Sequence, residues 1–256
     1  MRAHVKEKKK TKIADDAYEA LQTQILRGDF APGDRLPPER ELSSQLGTNR
    51  NTLREAIRKL EQMRLVTVRQ GQGVTVADFR RTGTIDLLEP FLAHGDDLHE
   101  KARALADLLS ARTVVLGYAL ELAAQRADSE DIRRMSDIRR LLTGAYGSGD
   151  RAALTVGYHQ WLVGIVDAAH SLPIRWVANP FLDMNRSFMD RFPSLWVLDE
   201  GFGAYLVATE DAIRRGDGAS AQAANRAYYD RIDAVVLSML HNLFSDSAAF
   251  SPSGTA

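Results

Sequence analysis

The stretch Leu36-Pro37-Pro38-Glu39-Arg40-Glu41-Leu42-Ser43-Ser44-Gln45-Leu46-Gly47-Thr48-Asn49-Arg50-Asn51-Thr52-Leu53-Arg54-Glu55-Ala56-Ile57-Arg58-Lys59-Leu60 reads as two short helices joined by a tight turn. Pro38 suits the first turn of a helix, where its missing N–H has no intrahelical partner to lose, and Gly47 ends that helix by accepting a left-handed backbone. Thr48 or Asn49 can cap the second helix with a side-chain oxygen. Leu53, Ala56, Ile57, Leu60 and Met63 then recur at offsets of three and four, laying one apolar stripe along it. The opposite face carries Asn51, Arg54 and Arg58. Amide and guanidinium groups so placed are the chemistry that reads base edges and phosphates. An ordinary hairpin with a solvated charged face shows the same pattern, so the flanking chain has to decide.

Upstream, Ala14, Ala17, Tyr18, Leu21 and Ile25 predict an amphipathic helix from Ile13 to about Arg27, with Asp15 and Asp16 near its N-terminus. A turn-rich loop, Gly28 to Asp34, follows it. Downstream, Leu65-Val66-Thr67-Val68-Arg69 and Val74-Thr75-Val76 are β-branched runs around Gln70-Gly71-Gln72-Gly73, the pattern of a small hairpin. Three helices and a hairpin wing make a winged helix-turn-helix over residues 13–77. Residues 1–12, with Arg2, Lys6, Lys8, Lys9, Lys10 and Lys12, are too polar for a core and read as a flexible basic arm able to touch phosphates.

Composition fits this division. Residues 1–77 hold 15 Lys and Arg against 10 Asp and Glu, a net of +5, and the rest of the chain holds 18 against 24, a net of -6. A polyanion would therefore meet the front of the chain. The 256 residues contain no Cys, which excludes disulfides and thiolate metal or redox sites. No apolar segment follows the polar N-terminus, arguing against export and for the cytoplasm, and no membrane partner is expected.

Within this frame, Gly33-Asp34-Arg35-Leu36-Pro37-Pro38-Glu39-Arg40-Glu41-Leu42, Leu46-Gly47, Arg50-Asn51-Thr52-Leu53-Arg54-Glu55-Ala56, Leu60, Leu65-Val66 and Gly71-Gln72-Gly73 together resemble the N-terminal domain of the GntR family of bacterial transcription regulators. The resemblance implies that Arg40, Asn49, Arg50, Asn51, Thr52, Arg54, Gln70 and Gly71 contact double-stranded operator DNA. Arg50 and Arg54 are the candidates for guanine, since a guanidinium donates two hydrogen bonds to one guanine edge. Arg40 suits a phosphate or an adjacent guanine. Family members often have a basic residue or His where Gln70 stands and a glycine where Arg64 stands, which weakens the case for the wing.

Residues 78–84 read as a linker, and a short apolar segment, Ile85 to Leu92, as a leading helix. Asp96 or Asp97, in a loop with His94 and His99, suits helix capping better than metal binding. Six helices are then predicted, at 99–126, 129–146, 150–169, 173–191, 201–215 and 218–244, with Pro180 expected to kink or divide the fourth. The fold class is mainly α: a winged helix-turn-helix followed by an all-α bundle at 85–244, with a disordered tail at 245–256. This selects the branch of the family with an all-helical effector domain, like that of the fatty-acid-degradation regulators.

Arg112 falls on an apolar stripe made by Leu105, Leu108, Leu109, Leu116, Ala119 and Ala123. A guanidinium facing a core needs a carboxylate or phosphate partner, and an internal acid or a ligand can supply it. The resemblance favours the ligand, because an arginine here commonly lines the effector cavity. Relatives often hold a divalent metal in that cavity. Here His159 matches one ligand, while Thr155, Leu206 and Tyr228 stand where the others belong, so a metal-free pocket is expected, with His159 and Tyr228 as hydrogen-bonding groups. Tyr228, Pro173-Ile174 and Leu108-Leu109-Ser110-Ala111-Arg112-Thr113 resemble the acyl-CoA-responsive members of the branch, pointing to an anionic effector such as an acyl-CoA, with a small carboxylate as the alternative. Trp161, Trp176, Phe181, Phe188 and Trp196 suit such a cavity or a plain core.

These readings give an operator-binding repressor, a homodimer because one recognition helix makes too few base contacts, with no cofactor. Two rivals are an architectural DNA binder with a structural bundle and an enzyme. No nucleophile–base or paired-carboxylate motif supports the second.

Overall fold

In a computed structural model, the chain is described over the backbone of residues 2–191 and 198–249 and the side chains of residues 14–187, 189 and 198–239. It divides into two compact units, Met1–Lys101 and Ala102–Ala256.

The front unit opens with α1 (Arg2–Arg27), α2 (Glu39–Gln45) and α3 (Arg50–Gln62), then β1 (Val66–Arg69) and β2 (Gly73–Val76). Helix α1 begins well before residue 13, because residues 2–12 contain neither Pro nor Gly and are rich in Lys and Arg, good helix formers. The basic stretch thus continues the first helix instead of standing apart as an arm. Leu21, Ile25, Leu42, Leu53, Leu60, Leu65 and Val76 form one buried cluster. Pro38 precedes α2 as its cap residue, and Gly47, at φ 60°, turns the chain toward α3. Asn49 caps α3, its Oδ1 accepting from the Thr52 N–H at 3.0 Å.

The wing pairs antiparallel from Val66 opposite Val76 to Arg69 opposite Gly73. Backbone groups of Gly33, Asp34 and Leu36 also bond β2, at 2.8 to 2.9 Å, so the stretch before α2 lies along the wing as a third edge. A one-turn α4 (Phe79–Thr82), a 3-10 turn (Ile85–Leu87) and α5 (Leu88–His94) follow. The span 78–84 is therefore partly helical. Leu87 is buried in the front cluster, with Phe79 and Phe91 packed against it, so residues 85–101 belong to the front unit rather than to the bundle. Burial of three large apolar side chains on that core outweighs the linker-like polarity around them.

Helix α6 (Leu98–Arg126) is capped by Asp97, whose Oδ1 accepts the N–H groups of His99 and Glu100 at 2.8 and 3.0 Å. The bundle continues with α7 (Ser129–Ser148), α8 (Arg151–Ala168), α9 (Leu172–Arg191), α10 (Phe202–Arg214) and α11 (Gly218–Ala249). Asp128 and Asp131 form a reciprocal capping box for α7. Gly157 lets α8 lie against α7, since a β-carbon there would fall 2.9 Å from the Leu142 side chain. Helix α9 is continuous through Pro180, so the proline does not divide it. Helix α11 runs on to Ala249, past the expected end at 244, and the remaining tail residues, 250–256, lie outside the described residues. Among the described residues no helix is long and apolar enough to cross a membrane.

Candidate functional site

The front unit presents Arg40, Asn49, Arg50, Asn51, Arg54, Gln70 and Gly71 to solvent, on α2, at the start of α3 and at the wing tip. The stripe Leu53, Ala56, Ile57 and Leu60 is buried, as the helical spacing requires, which turns Asn51, Arg54 and Arg58 outward. Asn49 is exposed, but its carbonyl oxygen is engaged as the cap. Thr52 corrects the expectation. It is 1% exposed and its Oγ1 is covered, because it shares the inward side of α3 with Leu53 and Ala56, so it presents nothing to a partner. Glu39 is the residue the sequence did not single out. Both of its carboxylate oxygens accept from Arg54 Nε, at 3.0 and 3.1 Å. Nothing in the spacing of two residues on different helices signals that pair.

In the rear unit Arg112 of α6 is nearly enclosed. Its Nη2 donates to both oxygens of Asp233 on α11, at 2.7 and 2.9 Å, with the two side chains 15% and 16% exposed. The guanidinium also lies 3.9 Å from the centroid of the Tyr229 ring. An internal acid thus meets the charge that the sequence reading assigned to a ligand. Arg112 Nε is buried without a hydrogen-bond partner.

Tyr229 connects this ion pair to an aromatic cluster. Its hydroxyl shares a 2.5 Å hydrogen bond with that of Tyr158 on α8, and Tyr228 stacks on Tyr205 of α10, with ring centroids 4.2 Å apart. Burial pushes all four phenols well above the usual tyrosine range, so each remains a neutral O–H group. Arg112 and Tyr228 therefore belong to one cluster, joined through Tyr229.

His159 does not join them. Burial, and then the charge of Arg186 on α9, lower its pKa below the ordinary imidazole value, with Asp183 opposing, and its Nδ1 is buried without a partner. A cavity of only about 10 Å³ lies beside Arg112, lined by Leu116, Leu162, Ala178, Phe181, Leu182 and Asn185 among others. That is about the space of one water, so a metabolite enters only if helices part. Phe181 lines it and Trp161 is buried, but Trp176 is 66% exposed and lines no interior. The Phe188 side chain and Trp196 lie outside the described residues.

The residues that stand in the expected ligand positions do not fit a divalent metal. Thr155 Oγ1 donates to the Arg151 carbonyl, Leu206 is apolar, and Tyr228 is stacked in the aromatic cluster as a neutral phenol. One imidazole cannot hold the ion. Asp128, Asp131 and His170 bring ligand-type atoms within 4.8 Å of one another elsewhere, yet they already bond each other. Asp131 accepts from the Asp128 N–H and from Arg134, and lies 2.7 Å from His170 Nε2.

Residues 13–76 match the bacterial regulatory proteins of the gntR family, and residues 107–231 match the FCD domain. A Mycobacterium tuberculosis protein described as an uncharacterized HTH-type transcriptional regulator is 31% identical over 230 residues, 89% of this chain and 87% of that one. The chain belongs to the GntR family of bacterial regulatory proteins. Its FCD match starts beyond Lys101, in agreement with the boundary between the compact units. Among GntR relatives, the galactonate operon transcriptional repressor of Escherichia coli is 27% identical over 214 residues, 80% of this chain and 88% of its own. A fatty acid metabolism regulator protein of Vibrio cholerae is 33% identical over 108 residues, 41% of this chain and 38% of its own. The chain spans about half the length, 53%, of two further curated mycobacterial relatives that it matches.

Proposed function

We propose that this protein is a homodimeric transcription repressor whose hold on operator DNA is controlled by an anionic metabolite in the rear unit. The observation that carries the reading is Arg112, a permanent cation enclosed with four neutral phenols, its Nε unpartnered. Arg50 and Arg54 read guanine edges in the major groove, Arg40 grips phosphate, and Gln70 and Gly71 approach the DNA from the wing. An incoming anion competes with Asp233 for Arg112, and the phenols receive the ligand's polar atoms. The ligand shifts the population of reading-head arrangements only so far as it prefers one of them.

Two ligand classes fit the chemistry. The acyl-CoA reading rests on the sequence resemblance and on the fatty-acid-metabolism relative, which aligns over 41% of this chain. A small carboxylate asks less parting of the helices around the 10 Å³ cavity than an acyl-CoA does, and the galactonate-operon relative aligns over 80% of this chain. Thermal unfolding with a panel of acyl-CoAs and short or hydroxylated carboxylates separates them. A ligand at a hundred times its Kd adds about 2.7 kcal/mol, well within detection. No shift with any compound sinks the sensor reading and leaves the bundle a structural dimerisation element, whereas a shift undiminished in Arg112→Gln sinks Arg112 as the residue that holds the ligand.

A further inference from the structure

We propose that Glu39 is a positioning residue for sequence recognition: it holds Arg54 so that only the outer end of the guanidinium meets a base. The inference rests on the DNA-reading role given to Arg54 above. Glu39 is the first residue of α2, fixed behind Pro38 with its φ of -53°, and Arg54 lies one turn into α3. Their contact spans the two helices. Glu39 takes Nε through both oxygens, while Nη1 and Nη2 of Arg54 have no hydrogen-bond partner among the described residues. The Arg54 side chain is 60% exposed, so those two nitrogens are open to a partner.

Guanine offers N7 and O6 side by side in the major groove and needs two N–H donors. An arginine can present them side-on, through Nε and Nη2, or end-on, through Nη1 and Nη2. With Nε engaged, the side-on mode is closed and the end-on mode is presented. A long side chain otherwise loses rotamer freedom on docking, and the carboxylate takes part of that loss before DNA arrives. The carboxylate also repels phosphates, an effect felt by every sequence alike. Recognition depends on the difference between sites, so Glu39 lowers general affinity while raising discrimination.

The two effects separate by experiment. An operator is first selected from random duplex DNA with the full-length protein. Affinities are then measured for that operator, for a version with the guanine assigned to Arg54 replaced by adenine, and for unrelated duplex. The guanine is the one whose replacement no longer matters in Arg54→Ala. Glu39→Gln should bind unrelated DNA more tightly and lose about tenfold in discrimination, within the range of one bidentate contact. Glu39→Asp keeps the charge but withdraws the carboxylate, and should lose discrimination without gaining affinity for unrelated DNA. In an Arg54→Ala background neither substitution should alter discrimination. Unchanged discrimination in both Glu39 variants, or a parallel gain for all three DNAs in Glu39→Gln, overturns the positioning role. Full discrimination retained by Arg54→Ala overturns the reading assignment itself.

Discussion

Asp233 receives Arg112 through both carboxylate oxygens, although 121 residues separate the two in sequence. The pair ties α6 to α11 close to the Tyr229 ring. Removing one partner strands the other's charge in a largely dry setting, the costly way to break a buried ion pair. Asp233→Ala should lower stability by about 3 kcal/mol, and the double variant Arg112→Met/Asp233→Leu should recover most of it. Urea denaturation of the three proteins checks this. A double variant no more stable than Asp233→Ala would count against the pair as the cause.

Thr52 gives a test of which face of α3 meets DNA. Its hydroxyl is covered and unpartnered, so Thr52→Val removes a buried polar atom at nearly constant shape. Stability should be unchanged or rise by up to about 1 kcal/mol, and affinity for the selected operator should stay within twofold. A tenfold loss in a mobility-shift assay would restore Thr52 to the contact set.

Glu210 predicts an acid limb. It is 2% exposed, and though burial alone would raise its pKa, Ser136, Arg139 and Arg214 donate to it and lower it below the ordinary glutamate value. The unfolded chain then holds the proton more tightly than the folded one. The stabilisation is complete above the ordinary glutamate pKa and is lost as pH falls through the lower folded value. Stability measured from pH 6 down to pH 3 should fall less steeply in Glu210→Gln, whose amide cannot titrate. An identical slope would assign the acid limb to other carboxylates.

Gly157 should resist enlargement. The β-carbon of Gly157→Ala would meet Leu142 Cδ2 at 2.9 Å, in a core with little room to yield. Overpacking costs about 2 kcal/mol and the better helix propensity of Ala offsets about 1, so a net loss of about 1 kcal/mol is expected, and the overpacking is relieved in the company of Leu142→Ala, where the obstructing atoms are gone. Additive losses in the double variant would show that the two side chains do not meet.

The helical periodicity of the chain was enough to find the winged head and nearly every bundle helix, since apolar stripes and Gly, Asp and Pro stops act locally. The sequence pattern does not show which unit holds residues 85–101, because their placement depends on Leu87 finding the front core, a contact that no local pattern encodes. The apolar stripe marks Arg112 as anomalous, yet its partner Asp233 lies on the last helix, beyond any spacing rule. Thr52 shares the family motif with its exposed neighbours, although its register on α3 points inward along with Leu53 and Ala56. The resemblance groups His159 with Tyr228, whereas the first faces the charge of Arg186 and the second stacks among the tyrosines.

Leu87 also decides where the protein can be cut. A fragment ending at residue 77 would leave the front cluster without that side chain and without Phe79 and Phe91 packed against it, exposing apolar surface to its neighbours in solution. One ending at Lys101 keeps its own cover. The transferable reading head, the piece to graft onto another sensor, is thus longer than its DNA-binding motif by the two turns and short helix that close its underside.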